Sequence, residues 1–177
     1  MHYLHRFLVR VDSEDYEEGK SEAISKVEDF LSDYYQNVYD WYAIEDSRWV
    51  NVYPPAVCAG KVGAQVFLDS CYETIKSRQD EIRKKLNLIF NYAPNGITKE
   101  MLMTLADPFV SSFARTEYSM LWHHLFKIIK LCSYDDYCID SYFYNIEDGT
   151  NDLPAETADR IAAEPQYWWL VSVDLHY

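Results

Sequence analysis

The chain has 177 residues, of which 49% are apolar and 16% aromatic, and its 29 acidic and 16 basic side chains give a formal net charge of −13. This apolar content excludes a disordered chain, because such chains have too little apolar surface to offset the entropy of ordering. The acidic balance argues against direct binding to naked nucleic acid or to a membrane, since both require a basic face. Without a long apolar run or a signal-peptide pattern at its start, the sequence predicts a soluble, cytoplasmic domain of ordinary size, with or without an insert.

The first part of the chain predicts a strand, a helix and a second strand. Residues 2–11 are rich in β-branched and aromatic types, which favour a largely buried strand. From Ser21 to Val38 the apolar residues recur mostly at steps of three and four, which predicts an amphipathic helix with Ser21 as its N-cap. Residues 41–53 predict a second strand, or a hairpin if residues 45–47 form a turn.

A helical block follows two consecutive prolines. The spacing of apolar residues predicts a long helix over 66–91, a short helix between Thr98 and Asp107, and a third helix over 109–131. The mixed pattern of strands does not return until after residue 132. We therefore expect residues 60–132 to form an all-helical insertion.

The last part of the chain repeats the order of the first. Residues 137–146 predict a strand, a short helix begins at Pro154, and residues 167–176 predict a closing strand. A doubled β-α-β order is that of a ferredoxin-like split βαβ sandwich, whose helices cover one face of an antiparallel sheet. We therefore predict an α+β domain built from two halves, residues 1–59 and 133–177, that flank the insertion.

Charge divides along the same boundaries. Residues 1–59 carry a net charge of −7 and residues 133–177 one of −9, whereas the insertion carries +3. All the excess negative charge therefore belongs to the predicted sheet domain. Such an asymmetry points to a basic partner, although an acidic surface that only keeps the protein soluble explains it equally well.

Two acidic stretches hold the candidate partner-binding residues. Carboxylates at close spacing imitate a phosphate backbone and compete for a basic nucleic-acid channel, with an affinity that falls as salt rises. A solvated loop explains the same residues. The candidates are Glu14, Asp15, Tyr16, Glu17 and Glu18 after the first strand, and Glu147, Asp148 and Asp152 before the short helix. Further tyrosines, Tyr35 and Tyr144, would add contact area that is buried on binding.

No group of residues in the sequence predicts a reaction. His2 and His5 are separated by an odd number of strand positions, so their rings point to opposite faces and do not chelate one ion together. The wide spacing of the cysteines favours reduced, buried thiols over a metal site or disulfides; they are Cys58, Cys71, Cys132 and Cys138. We therefore expect a protein that is not an enzyme and that holds no metal or cofactor.

The aromatic segments carry a resemblance to a known group. The chain contains Asp40-Trp41-Tyr42-x-Ile44 followed by Arg48-Trp49, and it ends with Val173-Asp174-x-His176. These segments resemble a group of small proteins encoded by bacteriophages and mobile elements, which carry Asp-Trp-Tyr-x-Ile-Gly-Gly-Arg-Trp and a closing Val-Asp-x-His strand. Here Glu45-Asp46-Ser47 stands in place of the two glycines and is one residue longer. The resemblance implies a phage or mobile-element origin, and it carries no function with it.

The motif residues themselves favour a structural role. Tryptophans in such segments, together with Trp168 and Trp169, are typical of core and sheet-face packing more often than of a ligand cage. We expect the guanidinium of Arg48 to pair with Asp40 or Asp174 across the sheet.

A small acidic phage-like protein without a catalytic group of residues predicts a protein that binds a host protein. We expect an inhibitor of a bacterial nucleic-acid-targeting defence enzyme, a CRISPR-associated or restriction nuclease, that acts in the cytoplasm of an infected or lysogenic host. Its acidic residues would act as a nucleic-acid mimic, and the basic insertion would contact guide RNA or DNA. Two alternatives stay open: a small metal-dependent hydrolase that acts on a nucleotide, and a phage structural or assembly protein.

Overall fold

The computed structural model describes residues 2–34, 39–92, 95–100, 125 and 143–176. The chain forms two compact units, one of residues 1–77 and 134–177 and the other of residues 78–133. The predicted helices over 98–107 and 109–131 lie almost entirely outside the described residues. No helix within the described ranges is both long and apolar enough to span a membrane.

The first unit is built on a five-stranded sheet. Its strands are β1 (His2–Arg10), β2 (Trp41–Ala43), β3 (Ala56–Cys58), β4 (Phe143–Asn145) and β5 (Trp168–His176). The two long strands, β1 and β5, lie at the centre and pair antiparallel over their whole length. On the outer side of β5, β2 and β3 pair one after the other, and β4 pairs with the outer side of β1.

The α+β class is confirmed, but the sheet is mixed rather than antiparallel. β1 and β4 run parallel, with Phe7 opposite Tyr144, and β2 pairs with β5. The ferredoxin-like arrangement is therefore not confirmed. A hairpin forces its two strands to be antiparallel, whereas the long chain between Arg10 and Phe143 allows a return in either direction.

Helices cover both faces of the sheet. The α-helices with described bounds are α1 (Tyr16–Tyr34), α2 (Ala59–Val62), α3 (Ala64–Tyr92) and α4 (Ala155–Ala163), and a 3₁₀ turn spans Pro165–Tyr167. On one face, α1 packs on side chains at alternate strand positions, including Phe7, Val9, Trp169, Val171 and Val173. On the other face, α2, the first part of α3 and α4 pack on the positions between them, including Leu8, Phe143, Trp168 and Leu170. This alternation is the period of two that a strand imposes.

The element boundaries differ from the predicted ones at two places. α1 begins at Tyr16, so Ser21 lies inside the helix and is not its N-cap; the Asp15 carboxylate accepts the backbone N–H groups of Glu17 and Glu18 at 3.0 Å instead. The first turn is polar, so apolar periodicity does not reveal it. The second predicted strand is confined to β2, because the chain from residue 44 to residue 55 folds into turns beside the sheet.

The other predicted elements of the first unit agree with the structure to within a few residues. The long helix predicted over 66–91 is α3, the short helix after Pro154 is α4, and the closing strand is β5. Only the end of the strand predicted over 137–146 falls within the described ranges, where it forms β4. The insertion was expected to begin at residue 60, whereas α2 and the first part of α3 belong to the sheet unit.

Candidate functional site

One face of the sheet changes from apolar to polar along the two central strands. Leu8 and Leu170 face each other in the core, but the next positions on the same face are Arg6, opposite Ser172, and then Leu4, opposite Asp174. Arg6, Ser172 and Asp174 are all buried, at 7%, 2% and 1% exposure. Burial of charged groups is unfavourable unless they are paired, so this end of the sheet is a candidate functional site.

Asp174 is the centre of a group of polar and aromatic side chains. Its Oδ1 lies 3.0 Å from Nδ1 of His2, and its Oδ2 lies 3.6 Å from Nε of Arg48. β1 supplies His2, β5 supplies Asp174, and the turns after β2 bring Arg48 to the same point. The buried carboxylate therefore has two partners that carry or accept a positive charge.

A layer of rings closes the same end of the sheet. The rings of Trp41 and His176 stack at 5.3 Å with an interplanar angle of 7°, and the His2 ring meets both edge-on at 5.1 and 4.9 Å. Nδ1 of His176 lies 3.1 Å from Oδ2 of Asp40. We call Asp40, Trp41, Arg48, Asp174, His2 and His176 the Asp174 cluster.

The structure thus brings together Trp41 and the polar residues of the sequence motif, whereas Tyr42 and Ile44 belong to the core. The expected pairing of Arg48 with Asp174 is present. Ile44 is buried in the core beneath α1, and Tyr42 packs against that core. Trp49 is half-buried, and its backbone N–H donates to Oγ of Ser47 at 3.1 Å.

The tryptophans do not share one role. Trp168 and Trp169 are almost fully buried, one on each face of the sheet, as expected for core residues. Trp41 is 44% exposed and stacks on a histidine instead of packing in the core. His2 and His5 point to opposite faces as expected: His2 meets Asp174, and the His5 ring stacks beside Phe7 at 6.5 Å.

Arg6 is a functional candidate that the motif analysis missed. Its Nη1 donates to Oγ of Ser70 at 2.7 Å, to Oγ1 of Thr74 at 3.0 Å and to the Ser70 carbonyl at 3.3 Å. Burial lowers the pKa of the guanidinium, while Cys71, Tyr53 and Glu73 favour its charged form. The signal was present in the sequence, because Arg6 interrupts an otherwise apolar strand at a position that faces the core.

The first acidic stretch has structural roles at the start of α1. Asp15 caps the helix, Glu18 accepts a hydrogen bond from the Ser13 hydroxyl, and the Tyr167 hydroxyl donates to Glu14. Glu17 is exposed. The backbone N–H groups of Asp12 and Ser13 donate to the carboxylate of Glu22, in the second turn of the helix.

The second acidic stretch meets the first at the end of β1. The backbone N–H of Arg10 donates to Glu147 at 3.0 Å, and the Arg10 guanidinium lies 3.3 Å from Asp12 and 3.6 Å from Glu164. Because β1 and β4 run parallel, the residues that follow both strands emerge at the same end of the sheet. We call this surface the acidic end; it consists of Asp12, Glu14, Asp15, Glu17, Glu18, Glu147 and Glu164.

The remaining candidates of the second stretch are tied to α4 and to its approach. Asp148 accepts hydrogen bonds from Asn145, at 2.7 Å, and from Thr157, and it forms an ion pair with Arg160 at 3.1 Å. The carboxylate of Asp152 accepts the backbone N–H of Leu153 at 2.8 Å. These two residues therefore hold the loop before α4 in place.

The tyrosines expected at the binding surface are partly in the core. Tyr16 packs against Trp169 with ring centroids 5.1 Å apart, and Nζ of Lys61 lies 5.0 Å from the centroid of the Tyr16 ring. Tyr144 stacks on Phe30 at 5.0 Å. Tyr35 lies outside the described residues.

Two of the four cysteines lie within the described residues. Cys58 and Cys71 are free and buried, and burial raises the pKa of the Cys71 thiol to about 12. Cys132 and Cys138 lie outside the described residues. Within the described part of the chain, no three histidine, cysteine or acidic side chains are grouped so that they would hold a metal ion.

Searches of protein-family models, curated proteins and solved structures find no significant match to the chain. Its functional interpretation therefore rests on two features of the sheet unit, the Asp174 cluster with Arg6 at one end and the acidic end at the other.

Proposed function

We propose that the protein is a phage- or mobile-element-encoded inhibitor of a bacterial nucleic-acid-targeting defence enzyme, of the anti-CRISPR or anti-restriction type. It acts without catalysis, in the cytoplasm of the infected or lysogenic host. Its acidic end binds the basic nucleic-acid channel of the target, and the mildly basic insertion contacts the guide RNA or DNA in the same complex.

The observation that carries the proposal is the parallel pairing of β1 and β4. It places the carboxylates that follow both strands on one surface, where an antiparallel pair would have placed them at opposite ends of the sheet. Most of the acidic end is exposed. A concentrated set of exposed carboxylates provides the salt-dependent attraction that a phosphate backbone exerts on a basic channel.

The charges of the acidic end are only partly neutralised within the protein. Arg10 pairs with Asp12 and Glu164, and Lys26 pairs with Glu22 beside them. Within the described ranges, Glu17 has no ion pair. Exposed ion pairs of this kind are weak and exchange readily for contacts with a partner.

The proposal is tested with purified CRISPR-associated and restriction nucleases in a DNA-cleavage assay at low and raised salt. The test variant carries Glu14→Gln, Glu17→Gln and Glu18→Gln, which remove charge and spare Asp15, the N-cap of α1. We expect the native chain to inhibit at least one nuclease. The variant should bind that nuclease about tenfold to a hundredfold more weakly, with a shallower dependence on salt.

A matched control removes the same charge from the same helix. Glu28→Gln, Asp29→Asn and Asp33→Asn alter exposed residues further along α1 and should leave inhibition unchanged. If both variants bind the nuclease equally weakly, the effect depends only on the net charge of the protein. That result would contradict a defined binding surface. If the native chain inhibits no nuclease of the panel, the proposed class of target is wrong.

The Asp174 cluster favours a second candidate function, a small metal-dependent hydrolase that acts on a nucleotide. Two histidine–carboxylate pairs, His2 with Asp174 and His176 with Asp40, lie at one end of the sheet with their rings 4.9 Å apart. Histidine–carboxylate pairs are groups that general acid–base catalysis uses. Because no three described ligands are grouped to hold a metal ion, a divalent ion would enter this site together with the phosphates of the nucleotide.

This candidate predicts turnover of nucleotides in the presence of Mg²⁺ or Mn²⁺. His2→Ala and Asp40→Asn should abolish phosphate release, whereas Asp46→Asn, an exposed residue of the turn after β2, should not change it. Absence of turnover by the native chain, or turnover that survives in both cluster variants, would exclude the candidate.

A further inference from the structure

A cavity of about 310 Å³ lies beside the buried guanidinium of Arg6. Its walls come from β1, from the turns before β3 and from α3, all within the sheet unit. Its volume is at the lower end of the range of small-molecule sites, so it suits a metabolite better than a macromolecular segment. The lining residues are Leu4, Arg6, Tyr53, Ser70, Glu73, Thr74 and Ser77. We call this space the Arg6 cavity.

The guanidinium of Arg6 has only neutral hydrogen-bond partners among the described residues. All its hydrogen bonds to them run through Nη1, and Nε is buried without an acceptor. No described carboxylate lies within ion-pair distance of it. The N–H donors of arginine lie in one fixed plane and match the oxygens of a planar oxyanion. A buried arginine is normally paired with such an anion. This cation is therefore set up for an anion that the described residues do not supply.

The hydroxyl groups of α3 add a second donor. Thr74 donates its hydroxyl proton to the Ser70 carbonyl at 2.8 Å, and Ser77 donates to the Glu73 carbonyl at 3.0 Å. The Ser70 hydroxyl oxygen accepts from Arg6, and within the described ranges no hydrogen bond uses its proton. Ser70 is thus free to donate to the same oxyanion that Arg6 attracts.

The remaining lining residues restrict the chemistry of the ligand. Glu73 gives the lining one negative charge beside the positive charge of Arg6, and this carboxylate opposes a dianion such as a phosphate monoester. The same carboxylate can accept a hydrogen bond from an amino group of the ligand. Leu4 provides apolar surface, and the ring of Tyr53 lies over Arg6 at 5.4 Å from Cζ.

We propose that the Arg6 cavity binds a free α-amino acid. The ligand carboxylate meets Arg6 and Ser70, its ammonium group meets Glu73, and its side chain contacts Leu4 and Tyr53. The site is separate from the proposed inhibitor surface, since Arg6 is the middle residue of β1 and Leu4 precedes it, whereas the acidic end begins beyond Arg10.

The test measures binding of the twenty standard L-amino acids to the full chain by thermal shift and calorimetry. The corresponding amines, the acids without the amino group, nucleoside monophosphates and inorganic phosphate form the comparison sets. We expect at least one amino acid to bind at concentrations up to about 10 mM. The amine that lacks its carboxylate and the acid that lacks its amino group should each bind at least about tenfold more weakly, because each lacks one of the two charged contacts.

The variants assign each contact. Arg6→Met should weaken binding of the amino acid by about tenfold to a hundredfold. Glu73→Gln should weaken binding of the amino acid and leave binding of the des-amino acid unchanged or slightly stronger, because a negative charge beside its carboxylate is removed. This result does not depend on whether Arg6→Met folds. Arg83→Met, an exposed arginine of the same helix that pairs with Asp80, is the control and should have no effect.

Three outcomes overturn the proposal. The first is that no amino acid binds in the tested range, and the second is that binding is unaffected by both Arg6→Met and Glu73→Gln. The third is that only phosphate compounds bind, which would make the cavity a phosphate site. None of these results bears on nuclease inhibition by the acidic end, so the two proposals fail separately.

Discussion

The imidazole of His2 and the carboxylate of Asp174 meet at 3.0 Å although 172 positions separate them in the sequence. Asp174 lies opposite Leu4 on one neighbouring strand and opposite Ala43 on the other. Its carboxylate therefore links the beginning of β1, the end of β5 and, through Arg48, the turns after β2. A single buried side chain holds these three segments together at one end of the sheet.

Replacement of Asp174 should destabilise the fold more than replacement of its exposed partner. Asp174→Asn should lower the free energy of unfolding by about 1–3 kcal/mol, because a buried hydrogen bond to a charged group is lost. The Arg48 side chain is 53% exposed, so Arg48→Gln should lower it by about 0–1 kcal/mol. Urea unfolding followed by tryptophan fluorescence measures both. Equal losses would mean that Asp174 is stabilised mainly through Arg48 and not through His2.

Arg6 should be unfavourable for stability although it is buried and well contacted. A buried cation without a carboxylate partner retains much of its desolvation penalty, so Arg6→Met should leave the free energy of unfolding unchanged or raise it by about 1–2 kcal/mol. Removal of its acceptors by Ser70→Ala with Thr74→Val should lower it by about 1–3 kcal/mol. The measurement is urea unfolding of both variants and of their combination.

In the combined variant most of the stability lost with the acceptors should be regained, because the guanidinium that requires them is absent. A large destabilisation by Arg6→Met alone would instead give Arg6 a structural role.

Glu22 should stabilise the start of α1 only at pH values where its carboxyl group is ionised. Burial disfavours its charged form, but hydrogen bonds from Lys26 and from the backbone N–H groups of Asp12 and Ser13 outweigh burial and lower the pKa of the carboxyl from its ordinary 4.5. A group with a lowered pKa in the folded state contributes stability above its unfolded pKa, and this contribution is lost as the pH falls through the folded value.

Glu22→Gln should therefore lower the free energy of unfolding at neutral pH by about 0.5–1 kcal/mol. The difference between the native chain and the variant should shrink below pH 4.5. Unfolding curves at a series of pH values measure it; a difference that stays constant into acid would show that the charge of Glu22 makes no contribution.

Sequence patterns predicted the elements of the sheet unit better than their arrangement. The amphipathic helices follow from periodicity, and the two long strands follow from composition, since burial on both faces selects apolar residues at most positions of β1 and β5. The direction of β4 beside β1 depends on where a long chain returns to the sheet, and no local signal encodes it. That direction decides whether the two acidic stretches share a surface.

Sequence patterns identified several residues of the Asp174 cluster, but with a structural role and not as a functional site. The motif residues Asp40, Arg48, Asp174 and His176 were identified from a resemblance, and the Arg48–Asp174 pair was expected across the sheet. The hydroxyl partners of Arg6 lie more than sixty positions away on α3. A contact at that separation in the sequence can be predicted only once the packing of α3 on the sheet is known.

The buried thiols should be unreactive in the folded protein. Burial raises the pKa of Cys71 to about 12, and the charge of Arg6 only partly opposes this. Because the thiolate is the reactive species, a thiol reagent at mildly alkaline pH should react with Cys71 and Cys58 only after unfolding. The measurement uses a chain with Cys132→Ser and Cys138→Ser, and rapid labelling of either remaining thiol before denaturant is added would contradict it.

Gly60 should resist substitution because of close backbone contact between α2 and the turn of Pro165–Tyr167. A Cβ at this position would lie 3.0 Å from Cα and 3.2 Å from the backbone N of Gln166. Alanine favours a helix over glycine by about 1 kcal/mol, but the contact atoms are backbone, so relief requires α2 or the turn to move. We expect Gly60→Ala to lower the free energy of unfolding by about 1–2 kcal/mol net.

The control for this prediction is the double variant Gly60→Ala with Gln166→Ala. The conflict involves backbone atoms, so removal of most of the Gln166 side chain should not restore stability, as measured by urea unfolding. Full rescue would show that the side chain and not the backbone limits the space at Gly60. A stabilising Gly60→Ala would show that α2 shifts at little cost, in which case helix propensity would exceed the effect of packing at this contact.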